Sequence, residues 1–155
     1  MDTCVALSIK YGYLKEYRDT VSHYVEIIQE LGSNFYNYLD LPKGVKVNFK
    51  PIRSQNLVGL YDSDSKHAII DVRTLTLPEV LTTVCHELVH AEQFHQGLLQ
   101  STETNFFWKG KKWPARCPSL ASYYELPWEK DAYKRQDILF KKIFKKYLTD
   151  KRTSI

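Results

Sequence analysis

Apolar and polar positions along the chain follow two different periods. Val21, Val25, Ile28, Leu31, Phe35 and Leu39 recur at steps of three and four, the spacing of one helical face. Gly32 interrupts that stripe and marks a bend or an end. Leu41-Pro42-Lys43-Gly44 is turn chemistry, and Val45-Lys46-Val47-Asn48-Phe49 alternates as a half-buried strand does. Two short apolar runs, Leu57 to Tyr61 and Ala68 to Val72, flank Asp62-Ser63-Asp64-Ser65-Lys66 and predict a hairpin. Thr76 or Thr74 can cap a helix that begins near Pro78, carries Glu79 in its first turn, and runs from there to Gln96, with Gly97 as its stop. Residues 98–105 and 116–122 read as loop. The run Phe106 to Trp113 predicts a tight hairpin turning at Gly110. Pro127 suits the first position of a last helix that extends to Leu148. The predicted fold class is α+β: a small antiparallel sheet packed on the central helix, with N-terminal and C-terminal helices around it.

A chain of 155 residues is one domain's worth, and 1–155 reads as a single unit. Its 43% hydrophobic and 26% charged content excludes collagen, coiled coil and intrinsic disorder. No apolar run approaches the roughly 18 residues of a membrane span. Met1 to Lys10 lacks the basic and then apolar profile of a secretory signal, and Cys4, Cys85 and Cys117 are scattered and odd in number. Together these predict a cytoplasmic protein without a disulfide framework. The net charge of +4 is uneven. Residues 141–155 hold six Lys or Arg against Asp150, which leaves the rest of the chain at −1. Ile143, Phe144, Tyr147 and Leu148 alternate with Lys141, Lys142, Lys145 and Lys146. Such a helix most simply buries one face and solvates the other; contact with a polyanion through the basic face is the alternative.

The chemistry concentrates in Val84-Cys85-His86-Glu87-Leu88-Val89-His90, an H-E-x-x-H inside the most regular predicted helix. Residues four apart share a helical face, so His86 and His90 can present two imidazoles to one ion. Glu87 lies beside them and can take the proton of a water that the ion acidifies. Cys85 reads as a small buried thiol. Trp108, Trp113 and Trp128 flank the motif in sequence and read first as core packing.

The segment VCHELVHAEQ, preceded by an apolar hairpin, resembles the zincin metallopeptidases. FFWKGKKW followed by YYELPWEKDAY is similar to the small phage-encoded, SprT-like or ImmA-like members. The resemblance implies a hydrolase with one catalytic zinc, His86 and His90 as metal ligands, Glu87 as general base, and a peptide or protein substrate. It also implies that an edge strand can receive an extended peptide, and that the chain can be a viral protein acting inside a host cell. Gln93 and Gln96 stand where metzincins need Gly and His, and His95 lies about 140° round the helix from the ligand face. No histidine follows His95, so the third ligand must be a carboxylate, the gluzincin solution.

Glu92, Glu103, Glu125, Glu129 and Asp131 are the candidates. From Glu129, helical steps reach Ala132, Gln136, Leu139 and Ile143, a core-facing stripe; from Asp131 they reach Lys134, Arg135, Ile138, Lys142 and Lys145, a solvent-facing one. Glu129 is therefore the expected ligand, with Glu125 second. Tyr123, Tyr124 and Tyr133 are candidates to donate to a developing oxyanion; Tyr133, one turn beyond Glu129, is favoured. Two rival readings stand beside the peptidase. One is a zinc amidase acting on a non-protein substrate. The other is a zinc-containing virion, host-interaction or nucleic-acid-associated protein without turnover.

Overall fold

The computed structural model describes residues 8–11, 17–53, 57–114 and 119–153. Cys4, Cys117 and part of the predicted loop at 116–122 lie outside them. The architecture is α+β. The α-helices among the described residues are α1 (Arg18–Leu31), α2 (Phe35–Tyr38), α3 (Leu77–His95), α4 (Leu120–Tyr124) and α5 (Pro127–Thr153). The strands among them are β1 (Ser8–Tyr11), β2 (Lys46–Phe49), β3 (Gly59–Asp62), β4 (His67–Ile70), β5 (Leu99–Ser101), β6 (Asn105–Trp108) and β7 (Lys111–Pro114).

The larger sheet has the order β1-β2-β4-β3. Its β3–β4 pair is the antiparallel hairpin that the sequence predicts, with Gly59 opposite Ile70 and Asp62 opposite His67. β1–β2 and β2–β4 are parallel, so this sheet is mixed where the hydrophobic pattern suggests a purely antiparallel one. Parallel neighbours need a crossover between them, and α1 and α2 supply it between β1 and β2. β4 is buried at Ala68, Ile69 and Ile70 in succession, as a strand covered on both faces must be. β2 alternates instead, burying Val47 and Phe49. The second sheet, β5-β6-β7, is antiparallel throughout. It contains the predicted hairpin at Gly110, whose φ of +83° places it in the left-handed region glycine favours.

α3 crosses the centre of the molecule, with the larger sheet on one side and α5 on the other. Its start is a capping box. The Glu79 amide donates to Thr76 Oγ1, and the Thr76 amide donates to the Glu79 carboxylate at 2.8 Å; such a cap stabilises a helix by about 1 kcal/mol. Gly97, at φ +74°, ends it. The main core joins Val21, Ile28 and Phe35 to Val47, Phe49 and Ile70, and both sets to Leu81, Val84 and Leu88. A smaller cluster gathers Leu99, Leu126 and Trp128, with Phe106, Trp108 and Trp113 packed on it. The tryptophans are thus packing residues first, as the sequence suggests.

The helical stripe from 21 to 39 breaks at Gly32, where a short 3-10 turn joins α1 to α2. α5 buries Ala132, Leu139, Phe140, Ile143 and Phe144, and its backbone kinks at Phe144. Lys130, Lys134, Lys141, Lys142, Lys145 and Lys146 face outward. Lys142 lies over the Tyr38 ring and Lys146 pairs with Glu30 at 3.2 Å. No helix among the described residues is long and apolar enough to cross a membrane.

Candidate metal centre

The two packed helices α3 and α5 bring three side chains to one point. His86 and His90 project from one face of α3, and Glu129 projects from the first turn of α5; all three are buried. Their ligand atoms lie within 4.8 Å of one another. His86 Nε2 is 2.9 Å from Glu129 Oε1, and His90 Nε2 is 3.1 Å from Glu129 Oε2. Ligands held 2.0–2.1 Å from a tetrahedral ion stand about 3.3 Å apart, so these separations are those of a donor set one small relaxation from coordination. This cluster can hold a metal ion.

Each imidazole is also fixed from behind. His86 Nδ1 is 2.8 Å from Gln136 Oε1, and His90 Nδ1 is 2.8 Å from Gln93 Oε1. A carbonyl oxygen only accepts, so each Nδ1 donates to its glutamine and Nε2 is the nitrogen that faces Glu129, through a shared proton when no ion is bound and through its lone pair when one is. That is the tautomer a metal ligand needs. Ala132, fully buried one turn past Glu129, keeps α5 close to α3.

Glu87 sits beside the cluster, 5% exposed, where burial raises its carboxyl above the ordinary range. Its carboxylate packs against β3 at Gly59. A Cβ at that position would lie 2.7 Å from Thr83 Cγ2 and 2.8 Å from Glu87 Oε2. Gly59 thus leaves the space that Glu87 occupies. Gly59→Ala is expected to cost about 1–3 kcal/mol through overpacking and to displace Glu87, read as a lower denaturant midpoint. Unchanged stability would show that the strand yields freely.

Electrostatics follow from the same contacts. Burial alone would lower the His90 pKa, but Glu129 and Glu87 outweigh it and lift it to about 9 from 6.5; burial likewise opposes the lowering of Glu129, yet the two imidazoles pull it down to about 2 from 4.5. The two shifts describe one interaction. Without an ion its stabilisation is full between pH 4.5 and 6.5, fades as pH rises through about 9, and is lost as pH falls toward about 2. A metal requires the neutral imidazole, so the gap in Tm between metal-loaded and metal-free protein should widen from pH 6.5 to 9. Thermal melts across that range check this; a constant or narrowing gap would contradict it.

The remaining sequence candidates are placed as follows. Glu125 is exposed and pairs with Lys130 at 2.9 Å, and Glu103 is exposed. Glu92 is buried on another face of α3, where it binds Arg135. Asp131 is half-buried and accepts from Gln93 Nε2 at 2.9 Å and from Arg135 Nη1 at 3.2 Å, so it belongs to the surroundings of the cluster. His95 is exposed near Asp40. The Tyr133 ring stands 4.5 Å from that of His86 and 5.3 Å from that of Tyr124. Burial, followed by the charges of Glu129 and Glu87, holds the Tyr123 phenol protonated well above the usual range. Cys85 is fully buried and its thiol pKa is pushed up by that burial.

A cleft passes over the cluster in two lobes. The larger, about 670 Å³, is bordered by Thr82, Thr83, His86, Tyr124, Tyr133 and Gln136. The smaller, about 300 Å³, is walled by Tyr61, Phe94, Leu99, Phe106, Leu126 and Trp128. Leu57, Gly59, Glu87 and Tyr123 border both lobes. Gln93 and Gln136 escape a motif-based reading because glutamine has no ligand signature. Position offered a signal all the same: Gln93 lies one turn beyond His90, and Gln136 lies on the stripe that carries Glu129 and Ala132. Comparison with family models, with curated proteins and with solved structures gives no significant match.

Proposed function

We propose that this protein is a zinc-dependent peptidase of the zincin type, with His86, His90 and Glu129 as ligands and Glu87 as general base. The observation that carries the reading is the position of Glu87. It is buried beside the three-ligand cluster, at the junction of the two lobes, where a bound substrate must pass. A binding-only metal site has no need of a carboxylate there.

Two imidazoles, one carboxylate and an open fourth position suit zinc. Bound there, zinc supplies a water of lowered pKa and a Lewis acid for the substrate carbonyl. Glu87 accepts the proton of the attacking water and returns it to the departing amine nitrogen. Its raised pKa makes it a stronger base than an exposed glutamate. Tyr123 is the favoured donor to the developing oxyanion, since it borders both lobes and the charges of Glu129 and Glu87 reach its phenol. Tyr133, which the sequence favours for that role, lies against His86 and lines only the larger lobe. β3 is an edge strand of the larger sheet and borders the cleft at Gly59, so an extended chain can run beside it. The aromatic walls of the smaller lobe favour a large apolar side chain next to the scissile bond.

Digestion of a mixed peptide pool by the zinc-loaded protein tests this. Cleavage should stop on chelation, return with zinc, and favour a bulky apolar residue on one side of the cut. Full zinc occupancy without any cleavage would leave a zinc-containing interaction protein as the better reading.

A further inference from the structure

Gln93 is fully buried on α3, one turn beyond His90. A buried amide must satisfy an oxygen and two N–H groups, and here every one of them is committed. Oε1 faces His90 Nδ1 at 2.8 Å; Nε2 donates to the Trp128 carbonyl at 3.0 Å and to Asp131 Oδ2 at 2.9 Å. Both Nε2 partners can only accept, so the amide cannot turn over, and its oxygen is locked toward the imidazole. Trp128 immediately precedes Glu129, so the same amide also ties down the backbone next to the carboxylate ligand. Asp131 is held in turn by Arg135, Arg135 by Glu92, and Glu92 accepts from the Asp40 amide at 2.7 Å.

We propose that Gln93 and Asp131 form a positioning relay that fixes the His90 tautomer, aims its Nε2, and holds α3 and α5 at the spacing across which His90 and Glu129 share an ion. The amide has a reason to be there. A carboxylate at 93 would stand directly against the Asp131 carboxylate and the Trp128 carbonyl in a buried space, a costly arrangement. The neutral amide passes on the pull of Asp131 at one remove. The Asp131 carboxylate polarises the Gln93 N–H, which makes Oε1 a better acceptor and His90 a better donor to the metal. His86 provides an internal comparison, because its Nδ1 is held by Gln136 alone.

The relay rests on the metal-site reading and not on peptide hydrolysis. Its test uses the full chain loaded with zinc, with zinc affinity measured by competition against a chromogenic chelator. The two imidazole Nδ1–H protons are followed by NMR on ¹⁵N-histidine-labelled protein. In the wild type both protons should be protected from exchange. Gln93→Met should lose the His90 signal, keep the His86 signal, and bind zinc at least ~10-fold more weakly. Asp131→Asn, at a half-exposed position that tolerates change, should keep both signals, shift that of His90 upfield, and weaken zinc by a smaller factor. Wild-type affinity and unmoved signals in both variants would overturn the relay while leaving the metal site standing. A drop in stripped-protein stability without change in affinity or signals would reduce Gln93 to packing, and also overturn it. A wild type that takes up no zinc would overturn the metal reading and the relay together.

Discussion

Replacing Glu87 with Gln is expected to lower turnover by ~10²–10⁴-fold while the protein keeps one zinc per chain. The substitution preserves the shape of the side chain and its contact with Gly59, where Glu87 Oε2 lies 2.8 Å from the position a Cβ would take. What it removes is the carboxylate proposed to accept the proton. Glu87 is not among the three residues whose ligand atoms converge, so metal content should not follow activity down. Parallel measurement of kcat and zinc stoichiometry separates the roles. If Glu87→Gln stripped the metal as completely as His86→Ala, the division between base and ligands would be wrong. Because burial disfavours the Glu87 charge more than the neighbouring imidazoles favour it, the neutral amide should also leave the fold as stable as before, or slightly more so.

Replacing Glu129 with Ala is expected to weaken zinc by at least ~10-fold, whereas Glu125→Ala should change it little. Glu129 is 4% exposed and its oxygens meet both imidazoles. Glu125 points to solvent toward Lys130. In the zinc-stripped protein the same substitution leaves His90 without the partner that does most to raise its pKa. The widening of the Tm gap toward pH 9 should then shrink. Asp131→Ala belongs between the two, because its carboxylate reaches the cluster only through Gln93. Equal zinc affinity in Glu129→Ala and the wild type would move the third ligand elsewhere.

The parts of this molecule legible in sequence are those where one physical signal dominates. α3 announces itself by a capping box, a Pro in its first turn and a glycine stop, and all of these are used. Glu129 separates from Asp131 because the two head different stripes of α5. The structure buries Leu139 and Ile143 on the Glu129 stripe and exposes Lys134, Ile138, Lys142 and Lys145 on the other. Illegible elements are short or depend on distant partners. β5 spans three residues, Leu99–Ser101, of which only the first is buried, so no alternation could mark it as a strand. α4 covers five residues, none buried. The parallel pairing of β2 with β1 and β4 is a property of three separated segments, and no local pattern records it.

The role of Asp131 shows a subtler limit. Its stripe is charged, and the sequence reads it as a surface carboxylate with basic company. Arg135 is indeed that company. Yet one face of the same carboxylate meets the buried Gln93 amide, because α3 passes close enough to reach it over Ala132. Which polar residues line up behind a metal ligand is decided by the packing of two helices, and neither helix encodes it alone.

Anomalous diffraction at the zinc edge, from crystals of the full chain grown with one equivalent of zinc, tests the central claim most directly. One strong peak is expected between α3 and α5, about 2.0–2.2 Å from His86 Nε2, His90 Nε2 and a Glu129 carboxylate oxygen, with Glu87 beside it and not bound to it. No peak there, or a zinc held by other residues while His86 and His90 still pair with Glu129, would contradict it.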